Sequence, residues 1–448
     1  MLINLALSDI ALACGGELIG SDHTVSAVVT DTRKIVSGCV FIALRGERFD
    51  GHDYVAQAVR DGAVGVVSEQ ALDVPAYVKV LNTTLAYGAI ARLIREAFKG
   101  PVVCITGSNG KTTVKDWLAQ SLAGRSVLKT RANLNNQIGL PQTLLELEAH
   151  HDVAVIEAGT SFSGEIALLA KVAVPDVVIL TNANGSHFEG LGGLEGIAKE
   201  KGELISGSSP EAAIILNSDD VYFDYWCGLA AGRTIYSFGF TKAASLYASD
   251  VSLSAEFSEA TFHYHGEVLP VFIAGAGLHQ IANGMAVVLA MLVIGIDFKF
   301  AVGALATPVL VSGRLERLET KNGALLINDC YNASPTSVEA AIDVLAMQLV
   351  DETWLILGAL GELGDQQDEI HRGLGIYAKN KGVSCLICVG PIAAVAGIAF
   401  RSKGGNAIFC NTHNEAATVV RQLDKKHAIL VKGSRSAKME NVIEALNN

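Results

Sequence analysis

The stretch PVVCITGSNGKTTVKDWL, residues 101–118, decides how this chain folds. An apolar run leads into a turn containing Gly107 and Gly110, and a helical pattern follows. A strand, a Gly-rich turn and a helix in that order point backbone N–H groups and a helix N-terminus at a polyphosphate. Lys111 adds a cation, and Thr112 offers a hydroxyl suited to Mg²⁺. Gly107, Ser108, Asn109, Gly110, Lys111, Thr112 and Thr113 are therefore expected to hold ATP. The spacing departs from the general GxxxxGK[ST] pattern: Ile105 stands where the first glycine belongs, and Gly107 supplies the flexible turn.

Working outward, short apolar runs ending in Gly, Asn or Asp recur: HDVAVIEAG (151–159), PDVVILTN (175–182), AAIILNSDD (212–220), and later LLIND, WLILGAL, CLICVG and AILVKGS. They read as buried parallel strands, with helical stretches such as SPTSVEAAIDVLAMQL between them. That alternation predicts an α/β fold whose ligands bind beyond the carboxyl ends of the strands. A chain of 448 residues, 50% hydrophobic, exceeds what one core accommodates. Boundaries near Pro101 and between Pro308 and Gly313 divide it into residues 1–99, 100–311 and 312–448. The expected architecture is a smaller N-terminal α/β unit, a central P-loop-type parallel sheet and a C-terminal Rossmann-like unit.

Composition narrows the function class. A net charge of -12 argues against a nonspecific nucleic-acid surface, so any phosphate site must be local. The longest apolar stretch, residues 284–296, is shorter than the roughly 18 residues of a spanning helix, which excludes membrane insertion. The start MLINLALSDIALAC has no basic leader and reads as a first folded helix. Eight scattered cysteines fit a reducing, cytoplasmic setting; Cys385 and Cys388, three apart in a strand, point to opposite faces.

Two further residues accompany the phosphate loop. Glu157 ends a strand and His187 follows the strand end TNANG, so both can project over the same sheet edge; carboxylate oxygen suits Mg²⁺, and histidine is a less usual ligand. In GGLEGIAKEKGELI, Lys199 and Lys201 are two apart on a helix, so one of them at most can enter the site.

TGSNGKTT (106–113) and NLNNQIGLP (133–141) resemble the Mur ligase family, the ATP-dependent enzymes that build the peptide stem of bacterial cell-wall precursors. Similar segments run the length of the chain: TDTRK (30–34), CVFIALRGERFDGHDY (39–54), HFEGLGGLEGIAKEKGE (187–203), SGRLE (312–316), NDCYNASPTS (328–337) and LVKGSRSAKME (430–440). The resemblance implies a ligase joining D-alanyl-D-alanine to a UDP-muramoyl-tripeptide at the expense of ATP. Its alternatives are a ligase adding the third amino acid of the stem and, in another class, a P-loop nucleotide switch. Against the switch, Asn380-Lys381 is followed by Gly382 and Val383, not by the base-reading pattern NKxD.

On these positions the resemblance implies Thr112 and Glu157 on one Mg²⁺, His187 on a second, and Lys201 as a lysine carbamylated by CO₂ and so turned into an anionic metal ligand. Lys111, Glu157, His187 and Lys201 then form the catalytic set. Asn283 matches a position near the adenine, and Arg314 and Asp329 match residues reaching phosphates and ribose from the third unit. Asp31, Arg33 and the Asp50-Gly51-His52 turn are the candidates for the UDP end, and Tyr331 and Asn332 for further substrate contacts. The family is expected to work as a monomer on small molecules. Ser161 and Phe162 replace what is usually Asn and a polar neighbour, and Gln280 stands where Asn is common.

Overall fold

The computed structural model describes residues 4–46, 49–185, 188–309 and 311–447. Among them three main sheets follow one another along the chain, as expected of a three-unit α/β protein.

The middle sheet has nine strands, with Val102–Thr106 hydrogen-bonded between Val153–Glu157 and Val177–Leu180, all parallel. The chain leaves that central strand toward both edges, and this switch opens a crevice at the carboxyl ends where the phosphate loop emerges. Burial on both faces follows from helices on either side. Cys104, Ile156 and Val178 point into one apolar cluster, while their neighbours Val103, Val155 and Ile179 point into another around Trp117 and the helix Leu278–Val293.

The central sheet is not wholly parallel. Leu246–Leu253, Ser258–Tyr264 and Glu267–Ile273 form an antiparallel meander that extends one edge. His265 and Gly266, both at positive φ, make the tight turn between its last two strands. Its outer residues alternate between exposed and buried, as in a sheet with one wet face. The start of the chain also differs from expectation: Leu5–Ala6 forms a short strand before the helix Leu7–Cys14, because Leu5 and Ala6 pair antiparallel with Val25 and Thr24.

A five-stranded sheet precedes the middle one and a six-stranded sheet follows it. The two seams differ. The helix Thr83–Ala97 carries the first sheet's core without a break into the middle one, with Ile90, Ile94, Leu169 and Ala173 in a single cluster. Arg95 clamps that seam by donating to the carbonyls of Ala173 and Val174 and to Asp176. The last sheet keeps its own cores on its two faces, around Ile342 and Leu357 on one side and Ile356 and Ile429 on the other. Its contacts with the middle unit include the polar bridges Asn109 to Thr336 and Arg317 to Glu256.

Among the described residues, no helix is long and apolar enough to cross a membrane.

Candidate active site

The phosphate loop is shaped by its backing. Gly107 has φ +149°, and a Cβ there would stand 1.9 Å from Thr181 Oγ1, so only glycine fits. Thr181 Oγ1 donates to the Asn109 carbonyl (2.6 Å), and Asn182 Oδ1 accepts from Asn109 N (3.0 Å). Ser108 Oγ exchanges hydrogen bonds with the backbone of Asn184. The loop is thus braced by the end of the neighbouring strand before any ligand arrives.

At the start of the helix Lys111–Ser121, Lys111 Nζ lies 2.6 Å from the Gly107 carbonyl and 3.2 Å from that of Ser108. Burial holds its pKa below the ordinary lysine value; Glu157 opposes that shift and Arg314 adds to it. Thr112 Oγ1 donates to Glu157 Oε2 (2.9 Å), and Asn135 Nδ2 donates to Glu157 Oε1 (2.9 Å). Thr130 Oγ1 accepts from the backbone N–H of Glu157. Asn135, which lines the cleft, and Thr130, buried behind Glu157, are residues that the sequence reading passed over. Asn135 lies within the quoted NLNNQIGLP segment, which is the signal that points to it.

A cleft of about 1060 Å³ opens over this edge. Ser108 to Thr112, Asn135, Glu157 and Phe162 form one wall; Arg314, Tyr331, Asn332, Ser334 and Arg435 of the last unit form the other. The Arg314 guanidinium stacks on the Tyr331 ring, 4.6 Å from its centroid, and its buried Nε has no hydrogen-bond partner among the described residues. Asn109 crosses between the walls: its side chain donates to Thr336 Oγ1 (3.0 Å) and accepts from Ser334 Oγ (2.9 Å).

The remaining sequence candidates are placed as follows. Lys201 is buried on the helix Leu194–Ser206 and makes no hydrogen bond among the described residues, while Lys199 is exposed and paired with Glu195. Burial pushes the Lys201 pKa well below the ordinary value, with the charge on Lys111 acting in the same direction and Glu200 against it. His187 lies outside the described residues. Asn283 packs under the loop, 2.5 Å from where a Gly110 Cβ would stand, and does not line the cleft. Asp329 also stays behind the wall, bound to Lys432 Nζ at 2.5 Å and to Leu315 N at 3.1 Å.

None of Asp31, Arg33, Asp50, Gly51 and His52 lines this cleft. Arg33 and Asp31 form an exposed ion pair. Asp50 caps its own turn, bonding His52 N and Nδ1, while His52 Nε2 accepts from Glu69 N. These bonds hold the polar loop in shape.

The oxygens of Thr112 and Glu157, facing backbone amides, a lysine and an arginine, suit Mg²⁺ and a polyphosphate by hardness and charge. Among the described residues no group of three or more His, Cys, Asp or Glu gathers as a ready metal cage. An ion here would accordingly be held jointly with the phosphates.

Comparison with known proteins follows this geometry. The Mur ligase middle domain matches residues 105–291, the Mur ligase glutamate ligase domain 313–435, and the Mur ligase family catalytic domain 24–99. UDP-N-acetylmuramoyl-tripeptide–D-alanyl-D-alanine ligase of Escherichia coli is 35% identical over 453 residues, covering 99% of both chains. That of Bacillus subtilis is 32% identical over 459 residues, again 99% of each. A crystal structure of MurF from Acinetobacter baumannii superposes with a TM-score of 0.91 at 30% identity over 100% of both chains. MurF of Thermotoga maritima in complex with ADP gives 0.83 at 28% identity, covering 94% of this chain and 96% of that one. By sequence and by fold alike, this chain belongs to the Mur ligase family.

Proposed function

We propose that the protein joins D-alanyl-D-alanine to UDP-N-acetylmuramoyl-tripeptide, forming ADP and phosphate, in the cytoplasm and as a monomer. The observation that carries this reading is the two-walled cleft, where the phosphate loop with Thr112 and Glu157 faces Arg314, Tyr331 and Arg435. It is roomy enough for a nucleotide and two peptide ends to meet. Full-length likeness to ligases of this name, including one solved with ADP, favours it over addition of the third stem residue and over a nucleotide switch.

A carboxylate is a poor electrophile until one oxygen becomes a leaving group. Transfer of the γ-phosphoryl group of ATP to the terminal carboxylate of the tripeptide supplies one, as an acyl phosphate. The dipeptide amine then attacks the carbonyl, and the tetrahedral intermediate expels phosphate. The loop amides and the Lys111 ammonium hold the triphosphate, and Arg314 offsets negative charge from the opposite wall. Mg²⁺, held by Thr112 and Glu157 with a second ion at His187, would supply further charge neutralisation on the phosphoryl oxygens. Lys201, whose amine makes no hydrogen bond among the described residues and whose pKa burial pushes down, is suited to addition of CO₂, which gives a carbamate and releases a proton.

Residues 1–99 are assigned to the UDP end, 100–311 to ATP and 312–448 to closure and the dipeptide. The fused first seam and the polar second one make the last unit the part that swings. Phosphate release from ATP, measured with UDP-tripeptide plus D-alanyl-D-alanine and with UDP-dipeptide plus a diamino acid, tests the reading. Release dependent on D-alanyl-D-alanine is expected; release only with UDP-dipeptide and the diamino acid would replace it with the rival ligase.

A further inference from the structure

The connection at residues 159–164, between the strand ending in Glu157 and the helix Glu165–Ala173, is pinned at the backbone amides of Gly159, Ser161, Phe162 and Gly164. Glu165 Oε2 accepts from Ser161 N (2.7 Å) and Phe162 N (3.0 Å). Glu200, buried on the helix Leu194–Ser206, accepts from Gly164 N and Ile166 N, each at 2.7 Å. The Thr160 hydroxyl donates to the Phe162 carbonyl at 2.8 Å and lies beside both carboxylates. Behind the loop, a Cβ on Gly190 would stand 2.1 Å from the Ser161 carbonyl and 3.5 Å from Phe162 Cδ1, so the turn there presses closely against it.

This fixed backbone presents the Phe162 ring, 64% exposed, to the reaction cleft. A lone exposed aromatic is ordinary on a surface. Phe162 differs in place and in restraint. It stands in a cleft lined mostly by polar residue types, five residues beyond Glu157, and hydrogen bonds to its own N–H and carbonyl hold it there. Two carboxylates spent on a loop that carries an unburied ring make sense if the ring acquires an apolar partner when substrate binds.

We infer that Phe162 is a specificity-determining residue that packs against the side chain of the terminal residue of the acyl substrate, the residue whose carboxylate is activated. Of the reactants, that residue is the one held to the middle-sheet edge, since its carboxylate must meet the γ-phosphate beside Thr112 and Glu157. The incoming amine is supplied from the opposite wall. The partner chemistry is a run of methylenes close to the α-carbon, which an aromatic face covers and an amide does not. Glu165 and Glu200 are positioning residues for that wall.

The inference rests on the ligase reading and is tested with it. Phosphate release is measured with D-alanyl-D-alanine and two UDP-linked tripeptides, one ending in lysine and one in alanine. For the natural chain the lysine peptide is expected to have kcat/KM about tenfold or more above the alanine peptide. Phe162→Asn should remove most of that preference through a raised KM for the lysine peptide, with kcat and the D-alanyl-D-alanine KM within about twofold. Phe162→Leu should keep most of it, and the melting temperatures of both variants should match that of the natural chain because the ring is exposed. A preference that survives Phe162→Asn, or a loss that falls on kcat or on the dipeptide KM, overturns the inference while the ligase reading stands. Absence of phosphate release in the natural chain overturns both.

Discussion

Of the three lysines that are almost wholly buried among the described residues, Lys115, Lys201 and Lys432, the last two have opposite surroundings. Lys432 of the last unit is 1% exposed and Lys201 of the middle unit 2%. Lys432 ends a strand whose parallel register sets it directly across from Asp329, and its ammonium reaches that carboxylate at 2.5 Å and the Asn332 carbonyl at 3.1 Å. Lys201 makes no hydrogen bond among the described residues and feels the like charge of Lys111. A buried charge without a partner costs so much that the group sheds its proton instead. Lys432 is thereby a clamp on the wall that carries Tyr331 and Asn332, whereas burial and the charge of Lys111 push the Lys201 pKa down.

Breaking the clamp should have the largest effect on stability. Lys432→Met leaves the Asp329 carboxylate buried and unpaired, which costs about 3–5 kcal/mol. Urea unfolding of the last unit's transition measures this. A loss under about 1 kcal/mol would mean that the pair is solvated and that the contrast with Lys201 is only apparent.

The same substitution at Lys201 should do the reverse. Lys201→Met removes a buried amine that makes no hydrogen bond among the described residues, so stability holds or rises while turnover falls by about 100-fold or more. If stability dropped as it does for Lys432→Met, Lys201 would have to be a structural ion-pair partner.

A pH series sharpens the point. The folded-state pKa of Lys201 is depressed, so between that value and the ordinary value of about 10.4 the unfolded chain binds the extra proton. The natural chain should therefore gain stability relative to Lys201→Met as pH rises from about 7 toward 9.5, by up to ~1.4 kcal/mol per unit, in CO₂-depleted buffer. A flat difference would show that Lys201 stays charged in the fold. Carbamylation has its own readout: a ¹³C resonance from labelled bicarbonate, present in the natural chain and lost in Lys201→Met.

How much of this was legible beforehand differs from residue to residue, for physical reasons. The phosphate loop could be read because its signal is contiguous in sequence: glycines at a turn after an apolar strand, then lysine and threonine at a helix start. The split between Lys199 and Lys201 also followed from helical spacing, although which of them is buried depends on what the helix packs against. Phe162 stood out only as a departure, since nothing local says that Glu165 and the sequence-distant Glu200 fasten its loop. The Asp329–Lys432 pair was not legible, because strand register joins residues 103 positions apart. The antiparallel meander was missed because half-exposed strands lack the continuous apolar runs of the buried ones.

A third cation completes the comparison with the smallest expected effect on the fold. Arg33 donates to Asp31 at 2.7 Å, as Lys432 does to Asp329, yet the Arg33 side chain is almost fully in water. Its neighbour lowers the Asp31 pKa to about 2, chiefly through hydrogen bonds from the Arg33 side chain and N–H, but solvent screens the pair. Arg33→Ala should leave the melting temperature unchanged, so any change it produces belongs to ligand binding. With the first unit assigned to the UDP end, the KM for UDP-tripeptide should rise roughly tenfold, the worth of one charge-assisted hydrogen bond, with the KM values for ATP and dipeptide unmoved. An unmoved UDP-tripeptide KM would take Arg33 out of the binding surface and leave the pair as an exposed turn cap, since proximity of opposite charges does not by itself make a site.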